Sequence, residues 1–251
     1  LDVPDLTFIP VSALHGDNIV ERSPNMAWYD GASLLHHLEE VHIDSDRNLT
    51  DPRFPVQWVV RPRGDEHHDY RGYAGTVAGG VIKLGDEVMV LPSGFTSTVD
   101  ALDTPAGPVD EAFAPMAVTV RLADDLDISR GDMLCRPNNR PIVTQDLDAT
   151  ICWMDENSAL RPGQKLAIKH TTRWARAMVA DLVYRLDINT LHRDSGASAL
   201  GLNEIGRVRL RCTRPLFVDD YRRNRVTGSF MLVDEATNAT VAAGMVRGAV
   251  G

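Results

Sequence analysis

Gly79-Gly80-Val81-Ile82-Lys83-Leu84-Gly85-Asp86-Glu87-Val88 (residues 79–88) is the stretch whose reading decides the fold. Two glycines open it, and a Gly-Asp turn at 85–86 leads into the apolar-rich run from Glu87 to Pro92. Short runs of strand-forming residues bounded by glycine turns are the pattern of antiparallel strands, and this stretch is expected to be a β-hairpin. Working outward, Phe54 to Val60, the glycine-rich Arg71 to Gly80, Thr96 to Leu102, Met116 to Leu122 and Met133 to Arg136 repeat the pattern, the last after the turn Arg130-Gly131-Asp132. Strands this short, with turn residues at regular spacing, argue for sandwiches or barrels. The Arg-Gly-Asp tripeptide is read as a turn closing a strand, in preference to an adhesion motif.

The same punctuation resumes near Gln145. Ala149 to Met154, Gln164 to His170, Ala175 to Leu186, Gly206 to Cys212, Ser229 to Asp234 and Val241 to Val246 read as strands, with turns at Pro162-Gly163 and Asp234 to Asn238. Between them, residues 189–201 are polar and contain Gly and Ser, and read as a mobile loop. The first fifty residues differ. Leu6 to Val11 is an apolar, β-branched run expected to be a buried strand, entering the turn Ser12-Ala13-Leu14-His15-Gly16. Leu34, Leu35, Leu38 and Val41 then recur at helical spacing behind Asp30-Gly31. The chain opens at Leu1 without an initiator Met, and is expected to be a piece of a longer protein.

Composition excludes several classes. The 251 residues are 43% hydrophobic and 24% charged, an ordinary globular balance, and nothing resembles a membrane span. The net charge of -9 is uneven: residues 1–50 carry two basic and nine acidic side chains, 51–145 nine and fourteen, 146–251 fifteen and twelve. A surplus of three positive charges in the last part is too small for the concentrated basic patch of a nucleic-acid-binding surface, so no nucleic-acid partner is expected. Cys135, Cys152 and Cys212 are odd in number and widely spaced, which argues against disulfides or a zinc site and for buried thiols in a reducing, cytoplasmic setting. The pairs His36-His37 and His67-His68 put neighbouring side chains on diverging directions and are not read as chelates.

Phosphate chemistry is missing as well. A phosphate-cradling loop needs a Lys directly after Gly, but Lys83, Lys165 and Lys169 follow Ile82, Gln164 and Ile168. No Asn-Lys pair exists, and Asp69-Tyr70-Arg71-Gly72, a match to Asp-x-x-Gly, stands after the Ser-Ala-Leu turn instead of before it and is set aside as chance. The residues present are not expected to hydrolyse a nucleotide, and neither a catalytic group nor a metal site is assigned.

These features resemble one superfamily. The glycine-rich second strand, Gly79 to Val88, the Ala-rich turn before Val118 to Leu122 and Ser129-Arg130-Gly131-Asp132-Met133-Leu134 resemble, in order, the second domain of the elongation factor Tu family. The strings at 150–172 (TICWMDENSALRPGQKLAIKHTT), 184–191 (YRLDINTL) and 202–234 (from LNEIGRVRLRC to GSFMLVD) resemble the third domain of the large, GTPase subunit of bacterial sulfate adenylyltransferase, and 26–41 (MAWYDGASLLHHLEEV) the end of its GTP-binding domain. The resemblance implies a mainly β protein: a remnant of an α/β GTP-binding domain (1–50), then two antiparallel β-barrels, domain II-like (51–143) and domain III-like (144–251).

It further implies that Ser12, Ala13 and Leu14 meet a guanine base through backbone amides, although on those residues alone an ordinary βα turn is the other reading. The implied activity of the full-length protein is coupling of GTP hydrolysis, with Mg, to formation of adenosine 5'-phosphosulfate from ATP and sulfate. The implied partners are a small catalytic subunit and, fused or associated, an adenylylsulfate kinase. The competing class is a translation factor whose barrels bind aminoacyl-tRNA. Arg207, Arg209 and Arg211 alternate with Val208, Leu210 and Cys212, which places three arginines on one strand face. That face is read as solvated, as a contact for the small subunit's acidic surface or, ranked below that, as a phosphate contact.

Overall fold

A computed structural model describes residues 6–41, 48–62 and 70–249. The chain divides into two compact units, residues 1–46 and 47–251. The histidines 67 and 68, and Asp69 of the Asp-x-x-Gly match, lie outside the described residues.

In the smaller unit, Ser33 caps helix α1 (Leu34–Glu40) by accepting from the His36 amide. The helical spacing of Leu34, Leu35 and Leu38 is thus realised, and Val41 ends the helix in extended conformation. Residues 6–11 form no strand. Leu6 and Phe8 are exposed, and the nearest pairing is the single bridge Ser12–Asp17. A buried strand needs neighbours to take its amides and carbonyls, and among the described residues none flanks this run.

The larger unit holds two six-stranded rings. In the first, β1 (Arg53–Val60), β2 (Gly72–Thr76), β4 (Glu87–Leu91), β5 (Thr96–Thr104), β8 (Ala117–Leu122) and β9 (Met133–Cys135) run in the order β4-β9-β1-β2-β8-β5, and β4 also pairs with β5. That last pairing closes the barrel. All registers are antiparallel, for example Tyr73 opposite Val120 and Phe54 opposite Leu134. Short β6 (Gly107–Val109) extends β5 outside the ring, while β3 (Val81–Lys83) pairs with β7 (Glu111–Phe113). The expected hairpin across Gly85-Asp86 is therefore a turn between strands with different partners. Lys83 and Asp86 are joined by two hydrogen bonds of 3.0 and 3.1 Å, but β4 goes on to β5 and β9. At Gly80 the backbone has φ +67°, and a Cβ would stand 2.3 Å from the Pro52 nitrogen, so the paired glycines are required by close approach of the entering strand.

The second ring comprises β10 (Ile142–Trp153), β11 (Lys165–His170), β12 (Arg173–Leu186), β14 (Ile205–Val218), β15 (Ser229–Val233) and β16 (Thr240–Ala249). Its order β11-β15-β16-β10-β14-β12 closes through β11–β12 pairing. The stretch read as a loop at 189–201 instead contributes β13 (Arg193–Asp194), paired with Leu186 and Arg185, and a bridge from Leu200 to Leu160.

Inward residues follow the period of two. Leu147, Ala149, Ile151 and Trp153 alternate into the second core, and the Trp153 indole donates to the Ser158 carbonyl at 2.7 Å. Phe54, Val56, Val88 and Val90 do the same in the first. Full burial of such side chains stabilises by about 1.5–3 kcal/mol each before chain entropy is counted. A smaller cluster of Leu91, Met133, Cys135 and Phe217 joins strands of the two rings. Burial pushes the thiol of Cys135 up to about 11 and that of Cys212 up to about 12, so both behave as small apolar groups, and all three cysteines are free.

Candidate nucleotide-facing turn and the arginine strand

The turn at Ser12–Gly16 is shaped from within. Gly16, at φ +76°, donates to the Ser12 carbonyl at 2.8 Å, and the Ser12 amide donates to the Asp17 carbonyl at 3.2 Å. Asn18 fixes its base: nearly fully buried at φ +56°, it donates to the Pro10 carbonyl at 2.9 Å and accepts from the Ser23 amide at 2.8 Å. Asp17 accepts from the Ser23 hydroxyl at 2.5 Å and from the Asn25 amide group at 3.1 Å, and these two hydrogen bonds hold its carboxyl below the usual range. Downstream, the Leu34 and Leu35 amides donate to Asn18 and Ile19, so the turn is tied to the first residues of α1.

What the turn presents is backbone. Ala13 is exposed and Leu14 is 88% exposed, and among the described residues no acceptor faces the amides of Ala13 or Leu14. The structure thus brings Ser12, Ala13 and Leu14 together as a tight, outward turn with two free donors. Such a turn can meet a planar ring bearing acceptors.

Arg207, Arg209 and Arg211 do share one face of β14, but they do not point free charge at solvent. Arg207 donates to both oxygens of Asp148, one bond measuring 2.8 Å, and holds that carboxyl below its ordinary range. Arg211 reaches Asp146 at 2.5 Å, and Arg209 lies 3.9 Å from Asp181. Two of the carboxylates sit opposite in register, Asp148 across from Arg209 and Asp146 across from Arg211. The arginines thus alternate with acids on β10 and β12 in a self-neutralising ladder.

A second arginine cluster is also paired with acids, although Arg71 Nε and Arg121 Nε have no hydrogen-bond partner among the described residues. On the first barrel, Arg71 pairs with Asp125, and Arg121 lies 3.5 Å from Asp103 and over the Tyr70 ring. No group of three or more His, Cys, Asp or Glu among the described residues could hold a metal ion, and His36 is engaged with Glu40 at 3.3 Å.

One polar centre escaped the sequence reading. Arg53, wholly buried, extends from β1 of the first barrel to Asp219, just past β14 of the second. Thr227 donates to the same carboxylate at 2.7 Å, and the Asn139 carbonyl accepts from Arg53 at 2.8 Å. Beside it Asp51 takes two bonds of 2.7 Å from Arg223 and 2.6 Å bonds from Asn48 and Asn139. Arg173 adds a further tie, donating to the carbonyls of Gly131 and Pro215, and so absorbs the Arg-Gly-Asp turn into the seam between barrels. The available signal was an arginine directly at the head of the mostly apolar run 54–60, which is compatible with a charge that has a buried partner but does not say which.

Residues 146–247 match the family model described as GTP-eEF1A C-terminal domain-like. A "Bifunctional enzyme CysN/CysC" of Mycobacterium tuberculosis (strain H37Rv) is 62% identical over 246 residues, 98% of this chain and 40% of that protein. A "Sulfate adenylyltransferase subunit 1" of Bacteroides fragilis (strain YCH46) is 47% identical over 246 residues, 98% of this chain and 50% of that protein. The solved structure titled as sup35 complexed with GMPPNP superposes with a TM-score of 0.73 at 24% identity, over 96% of this chain and 58% of that one, a likeness of fold. The chain spans two fifths to one half of the curated relatives it matches. No helix among the described residues is long and apolar enough to cross a membrane.

Proposed function

We propose, from the chain's belonging to the family of sulfate adenylyltransferase subunit 1 and the bifunctional CysN/CysC enzymes, that the whole protein is the GTPase subunit of sulfate adenylyltransferase. In this role it couples GTP hydrolysis to formation of adenosine 5'-phosphosulfate and pyrophosphate from ATP and sulfate, the entry to sulfate assimilation. The observation that carries this reading is 62% identity maintained over 98% of the chain. The small catalytic subunit performs adenylyl transfer, and an adenylylsulfate kinase is the further fused or associated partner. A cytoplasmic setting accords with three free thiols. The acidic balance of residues 51–145, nine basic against fourteen acidic side chains, weighs against the tRNA-binding alternative.

GTP fits these residues only at its base. The free amides of Ala13 and Leu14, with Ser12 shaping the turn, suit the acceptors of a guanine edge. No phosphate loop or magnesium-holding set is among the residues of this chain, so the phosphates and Mg belong to other parts of the protein. When bound, GTP supplies the free energy of hydrolysis. The barrels serve as rigid arms for the movement it drives. In this scheme residues 1–50 close a GTP-binding domain, 51–143 and 144–251 are the two barrels, and the chain alone is inactive.

The test uses the whole protein with its small subunit. Formation of adenosine 5'-phosphosulfate at fixed ATP and sulfate should rise with GTP and lose that rise with a non-hydrolysable analogue. A rate indifferent to GTP would overturn the assignment.

A further inference from the structure

The two longest strands of the second barrel, β12 and β14, behave differently at their exposed ends. β12 runs past the ring and turns at Asp187-Ile188-Asn189-Thr190-Leu191-His192 before pairing briefly with β13. This end is internally built. The Asp187 amide donates to the His192 carbonyl at 2.9 Å and the Leu191 amide to the Asp187 carbonyl at 2.8 Å, while one Asp187 carboxylate oxygen accepts from the Asn189 and Thr190 amides at 2.8 and 3.0 Å.

Yet what the turn presents is apolar. Ile188 is 63% exposed and Leu191 69% exposed. Leu191 is held at φ +59°, a conformation that a leucine adopts uncommonly and that glycine or asparagine would adopt readily. A solvated turn gains nothing from a leucine there, since polar residues would satisfy the same hydrogen bonds. Strained backbone kept with its side chain in water is the arrangement of a contact waiting for a partner.

The charge beside it indicates what that partner carries. Arg185, one step back, is matched by Asp194 at 3.1 Å and Glu204 at 2.9 Å. Arg193 has its guanidinium stacked 5.3 Å over the Tyr184 ring, and among the described residues no carboxylate pairs with it. The knuckle is thus apolar at its tip, its Asp187 carboxylate is engaged by the turn's own amides, and at its flank stands one guanidinium, Arg193, that no carboxylate among the described residues neutralises, in contrast to the paired ladder on β14.

We propose that this hairpin end is a preformed docking knob, with Ile188 and Leu191 entering an apolar socket whose acidic rim meets Arg193, and, resting on the function proposed above, that the socket belongs to the small catalytic subunit. A fixed turn loses little conformational freedom on binding, and a flanking charge steers approach.

The test is the affinity of the whole protein for the small subunit, by calorimetry at two ionic strengths, alongside thermal unfolding. Leu191→Gly is the decisive variant, because glycine accepts the positive φ and removes only the side chain. It should weaken association at least fivefold with the unfolding midpoint unchanged or raised, and Ile188→Ser should weaken it likewise. Arg193→Gln should weaken association more at low than at high salt. Smaller losses for both Leu191→Gly and Ile188→Ser, with the wild type binding and responding to GTP, overturn the knob and leave the function standing. A wild type that neither binds nor responds overturns both. Self-association of the whole protein that Leu191→Gly abolishes would make a second copy the occupant and also overturn the proposal.

Discussion

Arg53 and Asp219, 166 residues apart in sequence, form a two-pronged ion pair across the seam between the barrels. Nε lies 2.8 Å from one carboxylate oxygen and Nη2 2.9 Å from the other, and neither side chain has meaningful contact with water. Such a pair is most costly when halved, because the surviving charge stays buried without its counter-ion. Asp219→Asn is expected to destabilise the chain by about 3–5 kcal/mol in denaturant unfolding. The double substitution Arg53→Met with Asp219→Leu should recover most of that loss. A single variant within 1 kcal/mol of wild type would show that the seam tolerates the lone guanidinium.

The ladder on β14 leads to the opposite expectation. Its pairs are partly exposed, and pairs of that kind contribute about 0.2–1 kcal/mol each. Replacing Arg207, Arg209 and Arg211 together by Gln should therefore cost at most about 3 kcal/mol of stability, the sum of three such pairs, and leave the affinity for the small subunit unchanged. Calorimetry on the triple variant checks this. A salt-dependent loss of affinity would mean that the arginines exchange their own acids for a partner's.

Acid stability should depend on Asp51. Its bonds from Arg223, Asn48 and Asn139 outweigh burial and hold its carboxyl well below the ordinary range. A carboxylate depressed in the folded state contributes stability that is complete above its unfolded value of about 3.9 and is lost as pH falls through the folded value. Asp51→Asn should flatten the fall in unfolding free energy below about pH 4. An unchanged acid limb would assign that slope to other carboxylates.

His170 acts on a higher window. The ring is buried, its Nε2 donates to the Thr227 carbonyl at 2.7 Å, and its Nδ1 has no partner, so burial holds the neutral form and lowers its value. The unfolded chain takes up the proton first. Stability should fall as pH drops below about 6.5 and level off at the folded value. His170→Gln should lose the slope that sets in below about pH 6.5 while keeping a donor toward Thr227, as read by unfolding at several pH values.

Much of the architecture was legible because half-buried strands write a period of two into the sequence. Residues 149–153 and 207–212 show it plainly, and both lie on strands as read, although the first strand begins earlier, at Ile142. Pairing partners were not legible. Val81–Lys83 joins Glu111–Phe113, a choice made by closure of the ring and not by the turn at Gly85. Leu6 to Val11 has the composition of a strand, but composition cannot supply the neighbours that a strand requires. In the candidate site, the Ser-Ala-Leu turn could be located from its motif, whereas Asn18, which anchors it, carries no local mark. The arginine face was correctly placed on one side of β14. Its acids lie on β10 and β12, some sixty and thirty residues away in sequence, and only the register brings them opposite.

Ring closure has a further consequence for how these barrels can associate. An open sheet offers its border to any extended peptide, and among the described residues the only such borders are short: β6 and β13, three and two residues long, and the β3–β7 ribbon with three residues in each strand. Among the described residues a newcomer therefore finds only runs of two or three residues on which to lengthen a sheet. Recognition of either ring has to be written in side chains, and a single substitution on its outside can alter the choice of companion without touching the frame beneath.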